Sequence, residues 1–174
     1  MTSTPFTTTN SHIRLTDNGG GTAASALAAG VGVYNLTIPC MLLKDLGTSA
    51  IDVVTGLVLG HRFKLLAFDF FTYVAGTGTS ASQVFNLEIG STNTTGGALT
   101  VTLASTSAIG ELTEGTAFTA ANTGSATDAI SIELAASGTA FTAGEGHFVL
   151  KVQNLDTADA FASLAALPNM TSTV

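Results

Sequence analysis

The chain has 174 residues, 45% of them hydrophobic and only 10% charged, with 5 Lys+Arg against 12 Asp+Glu and a net charge of −7. Charged residues make up about 25% of an average globular chain, so the surface here must be built largely from Thr, Ser, Ala, Gly and Asn, and copies repel one another weakly. Phosphate tracking needs clustered cations, which this balance excludes, so nucleic acid is not an expected partner. Cys40 is the only cysteine, which rules out an intrachain disulfide and a Cys-based zinc site within one chain. Beside Pro39, it reads as a small apolar side chain.

Residues 1–30 form the first unit, rich in Thr, Ser, Gly and Ala and closing on "DNGGGTAASALAAG". Few large apolar side chains anchor it, so an extended N-terminal arm is expected, held by Phe6, Ile13 and Leu15 against a neighbouring subunit. A cationic start followed by an apolar run is absent, as is any stretch of about 18 apolar residues. Synthesis in a cytoplasm without a secretion signal, and no membrane partner, are the expectations. The triglycine Gly19 to Gly21 precedes no strand-helix unit and reads as a hinge.

Residues 31–174 form the second unit, in which strands alternate with small-residue turns. In "VGVYNLTIP" the set Tyr34, Leu36 and Ile38 should face inward until Pro39 ends the run. "AIDVVTGLVLG" is a short β-branched strand. "RFKLLAFDFFTYVAG" is apolar on both faces, with Leu66, Phe68, Phe70, Thr72 and Val74 in one row and Leu65, Ala67, Asp69, Phe71 and Tyr73 in the other. One row can fill a core while the other meets a second surface.

Cleaner alternation follows: Phe85, Leu87 and Ile89; Leu99, Val101 and Leu103; Ile130, Ile132 and Leu134; and Phe148, Leu150 and Val152 each face one way, with polar residues between. Half-buried strands of this kind predict an all-β fold, a two-layer antiparallel β-sandwich of jelly-roll type. The hexapeptide "GTAFTA" occurs at Gly115 to Ala120, after a Gly110 to Gly115 turn, and at Gly138 to Ala143, before a Gly144-Glu145-Gly146 turn. A lone Phe among small residues can pin a loop, since its burial is worth roughly 1.5 to 3 kcal/mol. Both copies therefore read as loop pegs. At the C-terminus, Ala and Leu favour helix but the Asp156 to Asp159 turn favours a returning strand at about 160–167, stopped by Pro168.

Chemistry is sparse. His12, His61 and His147 lack ligand spacing, and nucleophile elbow, P-loop and dinucleotide fingerprint are all missing, so neither a catalytic site nor a metal or cofactor is expected. Asn154, Asp156 and Asp159 fit no calcium loop. Glu111 and Glu114 are the short-spaced acidic pair outside the Asp turns, and a turn-like segment offers them no cleft. Asp69, on a strongly apolar strand, needs a counter-charge from Arg62, Lys64 or another subunit.

With its small-residue arm, the strands "VYNLTIP", "FKLLAFDFFTYVAG" and "VFNLEIGSTNTTGGALTVTLA", and the acidic Thr/Ala/Gly-rich character, the chain resembles the β-sandwich decoration, or cement, proteins that coat tailed-bacteriophage capsids. The resemblance covers most of residues 31–167 as a pattern, and no signature residue carries it. It implies a homotrimer on the outer surface of the virion, bridging the major capsid protein. On that reading Phe6, Ile13, Leu15, Leu65, Asp69, Phe71 and Tyr73 form the oligomer or capsid interface. The alternative is a receptor- or glycan-binding module of a phage fibre, against which the absence of Trp weighs.

Overall fold

The computed structural model describes residues 32–156, without the side chains of Cys40, Met41 and residues 136–138. Its strands are β1 (Val33–Leu42), β2 (Ile51–Val58), β3 (Phe63–Thr77), β4 (Ser82–Ile89), β5 (Thr92–Asn93), β6 (Leu99–Thr102), β7 (Leu112–Glu114), β8 (Thr123–Gly124), β9 (Ala129–Thr139) and β10 (Ala143–Asn154). Single 3-10 turns occupy Leu43–Asp45 and Ala104–Thr106. The expected arm, with Phe6, Ile13 and Leu15, and the expected returning strand at 160–167 both lie outside the described residues.

Two antiparallel sheets pack as a sandwich. The first runs β1-β10-β3-β7, with β8 also on β3; the second runs β2-β9-β4-β5, with β6 also on β4. Alternation determines which side chains lie between them. Phe68, Phe70, Phe148, Leu150 and Val152 from one sheet meet Phe85, Leu87, Leu99, Val101, Ile130, Ile132 and Leu134 from the other, all buried. The Phe148 ring bridges the layers, 4.9 Å from Phe85 and 5.4 and 5.6 Å from Phe68 and Phe70. Four-ring packing of this kind adds directional stability beyond the area it removes from water.

β-Bulges change three of the expectations. Pro39 does not end β1: the strand continues to Leu42, with its register against β10 shifted between Ile38 and Met41. Among the described strands β1 is the outermost of its sheet, so the proline's missing N–H breaks no ladder between described strands. Leu65 is not in the outward row. Its partner is Val152 while Ala67 pairs with Lys151, so Leu66 is an extra residue and the two rows exchange faces there. Leu65 and Phe63 consequently lie in the core, fully buried. Tyr73 is a second extra residue, between Thr72 paired with Gly146 and Val74 paired with Glu145, and it turns Val74 outward, 40% exposed.

Gly144-Glu145-Gly146 belongs to β10 and is not a turn; Gly146 packs under the Phe70 ring where a Cβ would collide. Likewise the segment before the first "GTAFTA" contains β7. The buried Gln83 stands in the inward row of β4 and is accommodated by donating from Nε2 to the carbonyls of Leu43 (3.0 Å) and Gly47 (3.1 Å), which ties the β1–β2 connection to the core.

The two "GTAFTA" copies anchor different places. In the first, residues 115–122 leave the β3 edge between β7 and β8 and pair with the interruption between β5 and β6, through Gly97 N–H to Thr116 O (3.0 Å), Thr116 N–H to Ala98 O (2.9 Å), Thr95 N–H to Ala120 O (2.9 Å) and Thr119 N–H to Thr95 O (2.8 Å). The excursions of two edge strands thus bond to each other and link the sheets along one side. Phe118 packs half-buried over Gly97, whose φ of +70° and lack of Cβ are both required under the ring. In the second copy Phe141 is buried against Gly76, and Thr142 N–H donates to Thr77 O at 2.8 Å, joining the β3–β4 and β9–β10 turns. Phe141→Ala should destabilise the fold by about 3–5 kcal/mol and Phe118→Ala by less than half as much, measured by chemical denaturation.

Candidate functional site

The long apolar strand β3 has one face in the core, and its alternation places a second set of side chains outside. Outward residues directly opposite on neighbouring strands share a face. Leu112 on β7, Phe71 on β3 and His147 on β10 therefore form one row across three strands, and Glu114, Asp69, Val149 and Thr37 form the next. Phe71 stacks on His147, with centroids 5.1 Å apart and planes 27° apart, and Tyr73 lies 6.0 Å from the same imidazole. At the β7 edge Leu112 is 51% exposed. Ile109, just before the Gly110 N–H that donates to Thr72 O, is 73% exposed. Phe71, Tyr73 and His147 are half-buried, so the exposed part of this surface is its aliphatic rim at Leu112 and Ile109.

Asp69 borders the patch. Its carboxylate accepts from Gly115 N–H at 3.3 Å, a donor shared with Phe68 O at 3.0 Å. Burial pushes its carboxyl above the usual Asp range; the Gly115 bond opposes that, Glu114 adds to it, and Lys151 opposes it from a distance. Neither Arg62 nor Lys64 supplies the expected counter-charge. Arg62 is at the far end of β3, where its Nε donates to Asp156 at 2.7 Å and its N–H to the same carboxylate at 3.2 Å. The reason is separation along the strand: the bulge at Leu66 puts Lys64 on the same face as Asp69, but Lys64 stands opposite Gln153, four residues along β10 from Val149, the partner of Asp69. Arg62 holds Asp156 below the ordinary carboxylate range, and Tyr34 Oη bonds His61 Nε2 at 2.8 Å beside it. This cluster closes the end of the first sheet and spends its polar groups on itself.

Of the sequence-derived interface residues, Asp69, Phe71 and Tyr73 come together on the outer face, Leu65 does not, and Phe6, Ile13 and Leu15 lie outside the described residues. Leu112, Ile109 and His147 were missed as members. The outward phase of His147 follows from "HFVLKVQN", but its placement beside Phe71 depends on register between strands 76 residues apart. A three-residue strand such as β7 leaves no periodic signal. Elsewhere, Glu111 caps its own loop, accepting from Ser107 Oγ (3.2 Å) and Ala108 N–H (3.0 Å). A shallow hollow of about 550 Å³ beside Ser80, Ala81, Leu103 and Ala104 has no titratable side chain in its lining. Among the described residues no three His, Cys, Asp or Glu side chains converge as a metal site would require.

Comparisons with protein-family models, with curated proteins and with solved structures return no match to this chain. The outer face must therefore be interpreted from its own chemistry.

A carboxyl whose pKa is raised by folding takes up a proton as the chain folds. Its cost to stability is absent below the ordinary Asp value of 3.8 and grows as pH rises through that value toward the folded one. Asp69→Asn keeps the Oδ1 acceptor for Gly115, so it should raise Tm at pH 7 by at most about 3 °C, the side chain being partly solvated, with the difference closing below about pH 4. Thermal melts of both proteins between pH 3 and 8 measure it.

Proposed function

We propose that this chain is a structural virion protein, a capsid decoration protein that joins copies of itself as a trimer and seats on the outer capsid lattice, bridging major capsid subunits. The observation that carries the reading is the row Leu112, Phe71 and His147, with Tyr73 beside it, on the outside of a sheet. A contiguous apolar surface on a sandwich marks a place where another molecule docks, since leaving it wet forgoes about 25 cal/mol for each Å² that could be buried. The sparse charge supports contact between identical copies, which meet without a dense field of like charges.

Strand order supports the jelly-roll reading. Counting β5 with β6 and β7 with β8, each pair lying on one strand edge, gives eight strands, ordered 1-8-3-6 in one sheet and 2-7-4-5 in the other. Jelly rolls of eight strands serve in viral capsids and in lectins alike. The fold therefore selects neither, and the surface has to. A second reading, a glycan-binding module of a phage fibre, draws on the half-buried Phe71 and His147 stack on the outer face with the Asp69 and Glu114 carboxylates beside it.

Light scattering on the purified protein should give the mass of a trimer. The pair Phe71→Ser and Leu112→Ser should yield monomers with an unchanged far-UV spectrum and at least tenfold weaker binding to assembled shells, isolated major capsid subunits binding neither protein. A wild-type monomer indifferent to shells but saturably bound by host glycans would overturn this reading in favour of the second.

A further inference from the structure

The outer face carries a charge pattern that apolar packing alone does not answer. Asp69 and Glu114 are directly opposite across the β3–β7 pair, an arrangement in which like charges destabilise a sheet. Asp69 is partly buried with one long backbone donor, and no cation among the described residues forms an ion pair with either carboxylate. The row beside them is apolar. A ligand matched to this face would bring a cation between aliphatic side chains. The chain contains five cations, Arg14, Lys44, Arg62, Lys64 and Lys151. Lys151 also stands between aliphatic residues, but Leu150 and Val152 are buried in the core, so outside the described sandwich the one cation in such a setting is Arg14, as Ile13-Arg14-Leu15.

We propose that the segment Ile13–Leu15 of a sister copy docks on the outer face of the first sheet, Arg14 bridging the Asp69 and Glu114 carboxylates and the two aliphatic side chains covering Leu112 and Phe71. The inference rests on the oligomer proposed above, in which this face already meets a neighbouring copy. Arg suits the position because its planar fork donates to two carboxylates at once and gives up its hydration more readily than an ammonium. The segment is long enough to pass its own copy's face. Leu15 precedes Val33 by 18 residues, which span up to about 60 Å when extended, whereas Val33, level with Lys64 through Gln153, is only about 23 Å along β3 from Phe71 of the same copy, so length remains to reach the face of an adjoining copy.

The test places a benzophenone amino acid at Leu15 in the full-length protein, mixes light and heavy-isotope copies, irradiates, and maps the adducts by mass spectrometry alongside the mass by light scattering. Expected are mixed-isotope adducts on residues 69–73 or 112–114, reduced at least tenfold by Arg14→Glu and restored when Glu114→Arg is added. Adducts within one copy only, adducts elsewhere, or a yield indifferent to Arg14→Glu would overturn the docking. A trimer showing any of these results removes the docking alone, whereas a monomer at every concentration removes the oligomer and the docking together.

Discussion

The pairing of β3 with β10 is the constraint on which the remaining structure depends. It runs from Phe63 opposite Asn154 to Thr77 opposite Ala143, so the longest strand of the chain is held along its whole length. From it come both faces of the first sheet. Inward, the pair delivers Phe68, Phe70 and Phe148 to the second sheet; outward, it brings His147 onto Phe71. A slip of one residue in this ladder would send the core rings to solvent and the solvent row into the core. Burial of Phe148 among three other rings makes such a slip costly, because each ring buried is worth roughly 1.5 to 3 kcal/mol.

That ladder is not regular, and its irregularities serve both faces. The extra residue at Leu66 lets Phe63 and Leu65 join the core although a strict alternation starting from Phe68 would expose them. An extra residue at Tyr73 likewise allows its ring to lie near His147 while Val74 is directed outward. Bulges increase local twist and re-aim side chains. Here they permit a strand of 15 residues to stay on the core while presenting a continuous aromatic surface in its second half.

Sandwich edges are open to pairing with other chains, and this chain protects one side in its own way. The β4 edge and the β3 edge are each lined by two short strands with an excursion between them, and the two excursions bond to each other near Gly97 and Thr116. Repetition of "GTAFTA" makes sense in this light. Each copy inserts one ring beside a glycine, Phe118 over Gly97 and Phe141 beside Gly76, where small neighbours leave room for it and larger ones would not. The low charge of the chain leaves the outer aromatic face as a distinctive feature of its surface.

The sequence by itself determined the fold class, the main strands and most of the core. Alternation around Phe85, Ile132 and Leu150 has a period of two, and one apolar face per strand allows little besides two packed layers. It also determined that Asp69 and Phe71 share a face, because no bulge falls between them, whereas Tyr73 is itself an extra residue and joins them through its place beside His147. Tertiary structure decided what alternation cannot encode. Whether Leu65 faces in or out depends on a bulge selected by pairing with Val152, and Pro39 fits inside a strand that is outermost among the described strands of its sheet, where the register shifts between Ile38 and Met41. The union of Leu112, Phe71 and His147 likewise exists only once three separate segments adopt one register, since cross-strand neighbours are fixed by hydrogen bonds between distant parts of the chain and leave no mark in the local order of residues.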